Sequence, residues 1–407
     1  MGYFGREGTE GTPGSLLSST LDSVRLEFER LESGAGGDLI LMHSLSGGTG
    51  SGLGSRLGEE LRESYPKNFM ASVSIAPFGQ GDTPLQHYNS LLCLHRIYQS
   101  MDGVVLGSNA DVSRAIESLK NQRNAAGAGA ASMASSATPA GNMAFAGINT
   151  YLSAAFADVF GPTRFLPTLK AQEDAERARM YPAAAKSSSV SVTPTTSGLL
   201  ASQPLYELLS HAAPLPSFKL LEIWSSAGLA GRDSAASFAG DGRAPPNPSW
   251  KACLESLQRF VPREAVAAAE GDHDDAIGRT LAYTLYARGD STLDPVSACY
   301  SSLESRLAKL LPPAVDWNPY PLDLVPSDLP RMVMGRGGGS MESPRGLGLC
   351  INRSRTSLTL RPVVRKARTL LANKAYTHWY TRYGLEVDEM KQAFDAVEDL
   401  IETYQTV

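Results

Sequence analysis

Cysteine is scarce in this chain. Cys93, Cys253, Cys299 and Cys350 are the only four in 407 residues, and none sits in a CxxC pair. Such spacing excludes a disulfide framework and disfavours a zinc ribbon, so reduced, buried thiols in a cytosolic setting are expected, with no disulfide partner. Long apolar runs are also missing, as is an apolar h-region at the N-terminus, so no membrane insertion is expected. Basic charge is not in excess: the net charge is -5 and the pI about 5.8. That argues against nucleic acid as a partner held through bulk charge. A nucleotide held by backbone amides stays open.

What remains suits a folded chain with weakly folding segments, at 42% hydrophobic and 19% charged residues. Leu21, Val24, Phe28 and Leu31 recur at helical spacing and run into the glycine-rich Gly34–Gly37. "DLILMHS" is short enough for a buried strand. "LGSRLGEELRESY" carries Leu53, Leu57 and Leu61 on one helical stripe. "FMASVSIAPF" and "DGVVLGSN" read as further strands, each followed by a helical pattern. Repeated strand and helix without hairpin signals predicts an α/β fold with a mostly parallel sheet covered on both faces. Alanine, glycine and serine dominate 121–142 and 183–201, which read as flexible insertions. Low-complexity stretches at 230–248 and 335–345 interrupt a second half in which "FKLLEIWSSA" and "RTLAYTLYARG" look like strands of an α+β domain. The chain ends in a basic helical stretch and an acidic amphipathic helix with Met390, Phe394, Val397, Ile401 and Tyr404 on one stripe. Joined at Gly384, these two predict an antiparallel hairpin on the outside of the body.

Between the first strand and its helix lies "HSLSGGTGSGLG", with five glycines from Gly47 to Gly54. Strand, bare loop and helix N-terminus together aim several amides at one point, which is a phosphate cradle. Gly47, Gly48, Gly50 and Gly52 are expected where φ turns positive or where a Cβ would strike an oxygen. Thr49 and Ser51 add uncharged hydroxyl donors. A Walker A loop is excluded because no Lys or Arg appears before Arg56, and the G-x-G-x-x-G fingerprint fails at Ser55. A glycine turn that only lets helix pack on sheet is the competing explanation.

"SGGTGSG" resembles the signature loop of the tubulin family, with Ser46 standing where glycine is usual. "QHYNSLLCLH", "WNPYP" at Trp317–Pro321 and "KAYTHWYTRYGLE" at Lys374–Glu386 resemble further tubulin motifs in the same order. "HSLSGGTGSG", "PLQHYNSLLCL" and an ending without an acidic tail resemble the delta branch of that family. The resemblance implies a Rossmann-like GTPase domain, incomplete at its N-terminus, over 1–159, with 121–142 as a flexible insertion. It further implies a low-complexity insertion over 160–201, an α+β intermediate domain over 202–352 and the helical hairpin over 353–407.

The same resemblance implies GTP or GDP as cofactor, with phosphates held by Ser46, Gly47, Gly48, Thr49, Gly50, Ser51 and Gly52. Asp82 falls on the aspartate that contacts ribose, although an Asp there is also an ordinary turn residue or helix cap. Gln86 replaces a ribose-side glutamate and keeps an amide able to bond a sugar hydroxyl. Asn109 and Asn149 match asparagines that read guanine. Phe145 falls on the residue that stacks on the base, keeping the ring and losing a hydroxyl. Glu207 matches a catalytic glutamate that reaches the nucleotide of a neighbouring subunit and orients or activates water there. The family aspartate three residues earlier is Pro204 here, so Glu207 is equally an ordinary solvated helix residue. The implied enzyme activity is at most weak GTP hydrolysis at a subunit interface.

Resemblance also implies a further N-terminal portion holding the first strands, a second nucleotide loop and the acidic residue near magnesium. Mg2+ is expected only with that portion present. Implied partners are other tubulins or centriolar microtubule proteins, in cytoplasm and cytoskeleton, at the centriole or basal body and the cilium or flagellum. A fold retained as a nucleotide-independent docking module is the alternative.

Overall fold

The computed structural model describes residues 16–30, 37–76, 84–125, 140–161, 205–226, 248–262, 278–289, 298–327, 329, 331–334, 340–343 and 345–407. Helix α1 (Leu16–Arg30) precedes β1 (Leu39–Ser44), α2 (Gly54–Ser64), β2 (Met70–Ala76), α3 (Gln86–Ser100), β3 (Gly103–Ser108) and α4 (Asn109–Ala125). Then come α5 (Ala140–Phe160), α6 (Leu205–Ala212), β4 (Leu220–Ser225), α7 (Trp250–Phe260), β5 (Thr280–Arg288), α8 (Ala298–Leu310) and β6 (Leu322–Ser327). The chain closes with β7 (Arg331–Met334), β8 (Ser340–Ser343), β9 (Gly346–Arg353), α9 (Ser354–Leu358), α10 (Arg361–Ala372), α11 (Thr377–Thr381) and α12 (Val387–Gln405).

Seven strands form one sheet in the order β1-β2-β3-β4-β9-β5-β6. β1 to β4 are parallel, β9 runs antiparallel to both β4 and β5, and β6 is parallel to β5. This is a mixed α/β core with C-terminal helices, mostly parallel as expected. Period-two alternation assigns the layers. Val104 and Leu106 of β3 face the cluster that holds Tyr88, Leu91, Leu94 and Ile97 of α3. Val105 faces Ala155 and Val159 of α5 and Leu208 and Leu209 of α6.

β1 departs from the buried strand expected. Ile40 is 38% and Met42 58% exposed, while Leu39 and Leu41 pack inward. β1 is the sheet's edge, and Ile40 and Met42 pair with Ala71 and Val73, which belong to the α5–α6 layer. The exposed pair is therefore the uncovered rim of that layer. The stretch 121–142 is helical at both ends, because α4 continues to Ala125 and α5 begins at Ala140. Gln122, Arg123 and Ala125 are good helix formers and extend α4. Most of the 160–201 insertion and the centre of 335–345 lie outside the described residues. The flanks of the latter, β7 and β8, pair with each other.

The C-terminal stripe is buried as expected: Met390, Phe394 and Tyr404 are fully covered, with Val397 and Ile401 nearly so. α10 and α12 lie on α3, making a third layer outside the sheet. Gly384 has φ +91°, the left-handed turn that leads into α12, the returning helix of the hairpin. The basic stretch differs from one continuous helix. It breaks after α10, with Lys374 at φ 49° and Tyr376 at φ 59°, and resumes as α11. Tyr404 locks the last turn of α12 to the sheet, its hydroxyl accepting from Leu220 N at 2.8 Å and donating to Asn352 Oδ1 at 3.1 Å.

Candidate functional site

The bare loop follows the carboxyl end of β1 and enters α2 through a π-helical turn at Thr49–Leu53. Gly47, Gly48 and Thr49 are exposed, while Ser51 is buried. Ser51 ties the turn back on itself: its amide donates to the Gly47 carbonyl at 3.0 Å and its hydroxyl to the same oxygen at 2.5 Å. The Gly47 and Gly48 amides donate to no partner among the described residues. None of the loop glycines has a positive φ, so that part of the expectation is corrected. Close approach is the operative reason at Gly50, where a Cβ would sit 2.6 Å from the Ser44 carbonyl oxygen. At Gly47 and Gly48 a Cβ would meet nothing within 4 Å. Those two glycines line open space.

Two half-buried side chains hold the loop from behind. His43 lies beneath the start of α2, its Nδ1 3.7 Å from where a Cβ on Gly54 would stand. Its Nε2 bonds Ser72 Oγ at 2.8 Å and Ser74 Oγ at 3.1 Å, both on β2. Burial lowers the His43 pKa, against smaller opposing bonds to Ser44 and Gly50 backbone. Asn89 of α3 donates from Nδ2 to the Ser46 carbonyl at 2.9 Å. Neither residue had an assigned role in the sequence analysis, although both stand inside quoted motifs.

A pH dependence follows from His43. Its folded pKa lies below the ordinary 6.5, so below that pH the unfolded chain binds a proton that the folded chain refuses. Stability therefore falls as pH drops through about 6.5. His87 and His95 are also lowered by burial first and act in the same direction. Urea midpoints compared at about pH 7.5 and about pH 5.5 should drop on acidification, and His43→Asn should shrink the drop. An unchanged drop would mean that His43 is not held neutral.

Four further candidates, Gln86, Asn109, Phe145 and Asn149, stand on elements that reach the same edge. β1, β2 and β3 are in register, with Ser44 opposite Ile75 and Ala76 opposite Ser108, so their carboxyl ends align. Gln86 opens α3 and Asn109 opens α4, next to that edge. The Ser108 hydroxyl accepts the Asp111 amide at 3.1 Å and caps α4. Asp111 is buried, pairs with Arg114 and lies 3.9 Å from Arg355, which fixes the turn that carries Asn109. Leu152 of α5 lies 3.8 Å from the place a Cβ on Gly107 would take, beside the end of β3. Phe145 and Asn149 occupy the two turns before Leu152, and both are exposed. Gln86 is 4% exposed, with its amide 3.4 Å from the His87 ring. Asp82 lies outside the described residues.

Glu207 is not brought to this edge. The Leu205 amide that starts α6 donates at 2.9 Å to Asp38, the residue before β1, and Tyr206 stacks obliquely near Phe69, the residue before β2. A six-residue strand, roughly 17–20 Å long, separates Glu207 from its own loop.

Residues 7–117 match the family described as Tubulin/FtsZ family, GTPase domain. The chain is similar to tubulins. "Tubulin delta chain" of Macaca fascicularis is 23% identical over 408 residues, covering 95% of this chain and 74% of that one. The Homo sapiens delta chain is 22% identical over 407 residues with the same coverage, and the Mus musculus one 23% over 396, covering 95% and 73%. Among tubulins, these similarities weakly favour the delta type. The residues fit a phosphate: the open Gly47 and Gly48 with their free amides and the exposed Thr49 lie at a strand end with no carboxylate in the loop. Among the described residues no cluster of three or more His, Cys, Asp or Glu could hold a metal ion.

Proposed function

We propose that the carboxyl edge of β1, β2 and β3 binds GTP or GDP, and that the chain is a delta-tubulin-like structural protein. The single observation carrying this is the pairing of a locked Gly50 with an open Gly47–Gly48. One glycine sets the loop's course and the other two expose amides to a ligand. Ser46 to Gly52 then take the phosphates, Asp82 and Gln86 the sugar, Asn109 and Asn149 the base edge, and Phe145 the base face. Mg2+ is proposed only where the further N-terminal portion with its acidic residue is present. By resemblance to the delta branch, the proposed role is microtubule organisation at centrioles, basal bodies and cilia or flagella. Over the chain, the proposed division remains a GTPase unit to 159, an insertion over 160–201, an intermediate domain over 202–352 and the hairpin over 353–407.

Glu207, at the opposite edge from the loop, suits a head-to-tail contact in which it faces the next subunit's nucleotide. There its carboxylate would orient an attacking water, giving weak hydrolysis only in assemblies. Other tubulins or centriolar microtubule proteins are the proposed partners. A second reading, nucleotide-independent docking on tubulin, is favoured by the inward-turned Gln86. Guanine nucleotide released on denaturing the purified chain separates the two. About one mole per mole, displaceable by GTP, is expected. A nucleotide-free protein that still cosediments with tubulin would favour docking.

A further inference from the structure

Neighbouring residues of α3 grip two distant parts of the chain. Asn89 donates to the Ser46 carbonyl at 2.9 Å and accepts at Oδ1 from the Tyr380 hydroxyl at 2.7 Å. Tyr88 donates to the Ala375 carbonyl at 3.1 Å. Its ring meets Tyr380 edge-on at 5.5 Å and stacks on Phe394 at 5.9 Å. Ala375 lies between Lys374 and Tyr376, both held in the left-handed region that costs non-glycine residues energy. The connection from α10 to α12 is thus a strained turn kept in place by α3.

The amide of Asn89 has one orientation that satisfies both neighbours. Tyr380 can donate only to its oxygen, which turns its NH2 toward the loop. Burial, and then Tyr88 nearby, raise the Tyr380 pKa, so the hydroxyl stays protonated and remains a donor. At the loop, the Ser46–Gly47 peptide is planar and trans, so its C=O and N–H point in opposite directions. Drawing the Ser46 carbonyl toward α3 turns the Gly47 N–H away from α3. That amide is the first donor of the cradle.

We propose that Asn89 is a positioning residue for the phosphate loop, and that Tyr380 makes its orientation depend on docking of the α10–α12 connection. This coupling rests on the nucleotide reading of the loop for its purpose, but its geometry exists without ligand. It gives Asn89 and Tyr380 work at the site although neither reaches a phosphate. Linkage makes the effect reciprocal: a phosphate-bearing ligand at the loop tightens 374–381, and anything that displaces that segment loosens the loop.

Hydrogen exchange on the full, ligand-free chain tests it, with Tyr380→Phe and Asn89→Asp read separately. Tyr380→Phe removes one hydroxyl and keeps the ring. Loss of one neutral hydrogen bond predicts about five-fold faster exchange of the hydrogen-bonded Ser51 amide within 46–51, as well as of the amides at 374–381. Asn89→Asp keeps an acceptor for Tyr380 and loses the donor to Ser46. It should speed exchange of the Ser51 amide by about five-fold or more and leave 374–381 near the parent rate. A merely structural role would move 374–381 and the unfolding midpoint without touching the loop. Either folded variant with parental exchange at Ser51 overturns the proposal, and if one fails to fold the other decides. Absence of nucleotide from the parent chain would instead count against the binding function, since these rates are read without ligand.

Discussion

Alanine at Gly50 is expected to lower guanine nucleotide affinity by about a hundred-fold and to destabilise the chain by about 1–3 kcal/mol. The added Cβ would lie 2.6 Å from Ser44 O and 2.9 Å from Ser44 N, both backbone atoms. Ser44 cannot retreat easily, because it ends β1 in register with Ile75 and β2 is buried. Alanine's better helix propensity, about 1 kcal/mol over glycine, offsets only part of the clash. Gly48→Ala is the contrasting change, because its Cβ meets nothing within 4 Å. Its stability should stay within about 0.5 kcal/mol of the parent while affinity falls. Urea denaturation and titration with a fluorescent GDP analogue give both quantities. Parental affinity in Gly50→Ala would mean that the loop does not take this course. Parental affinity in Gly48→Ala would mean that nothing occupies the open side.

The largest stability effect belongs to Glu222. Its Oε2 accepts from Arg353 Nη2 at 2.6 Å and Trp224 Nε1 at 2.9 Å, and its Oε1 from Thr356 Oγ1 at 2.9 Å. Arg353 is 1% exposed and also donates to the Pro262 carbonyl at 3.1 Å. The pair staples β4 to the end of β9, where the sheet turns from parallel to antiparallel. Removing one member leaves a buried charge without its partner, so Glu222→Ala should destabilise by about 3–5 kcal/mol. Burial alone would raise the Glu222 pKa, but Arg353 and Arg355 together with bonds from Arg353 and Trp224 outweigh it and hold it below 4.5. A depressed carboxylate pKa adds stability above the unfolded value and loses it as pH falls through the folded one. Acid unfolding below about pH 4 should therefore be shallower in Glu222→Gln than in the parent. Urea midpoints measured across that range check both points. A Glu222→Ala chain as stable as the parent would remove the staple from this description.

Much of this molecule was legible because its signals are local. The helical stripe from Met390 to Tyr404 fixes which face of α12 is buried whatever it packs against. "DLILMHS" followed by glycines identifies strand, loop and helix. The exposure of Ile40 and Met42 was not legible, because the apolar run shows a strand and not its place at the sheet edge. The break at Lys374–Tyr376 was hidden for a related reason: neither residue type signals a positive φ, and tertiary bonds from Tyr88 and Asn89 hold it. Asn89 itself, 43 residues from Ser46 and 291 from Tyr380, joins parts that only folding brings together. Glu207 was identified by register, while its separation from the loop required β1's direction and the Asp38 contact at the far end.

Amide chemical shifts of the 407-residue chain, titrated with GDP and separately with guanosine, address the main-chain cradle most directly. GDP should move the resonances of Gly47, Gly48 and Thr49 strongly, and guanosine at equal occupancy should move those of Asn109 and Asn149 while leaving the glycines nearly still. Glycine resonances unmoved at saturating GDP would contradict the account.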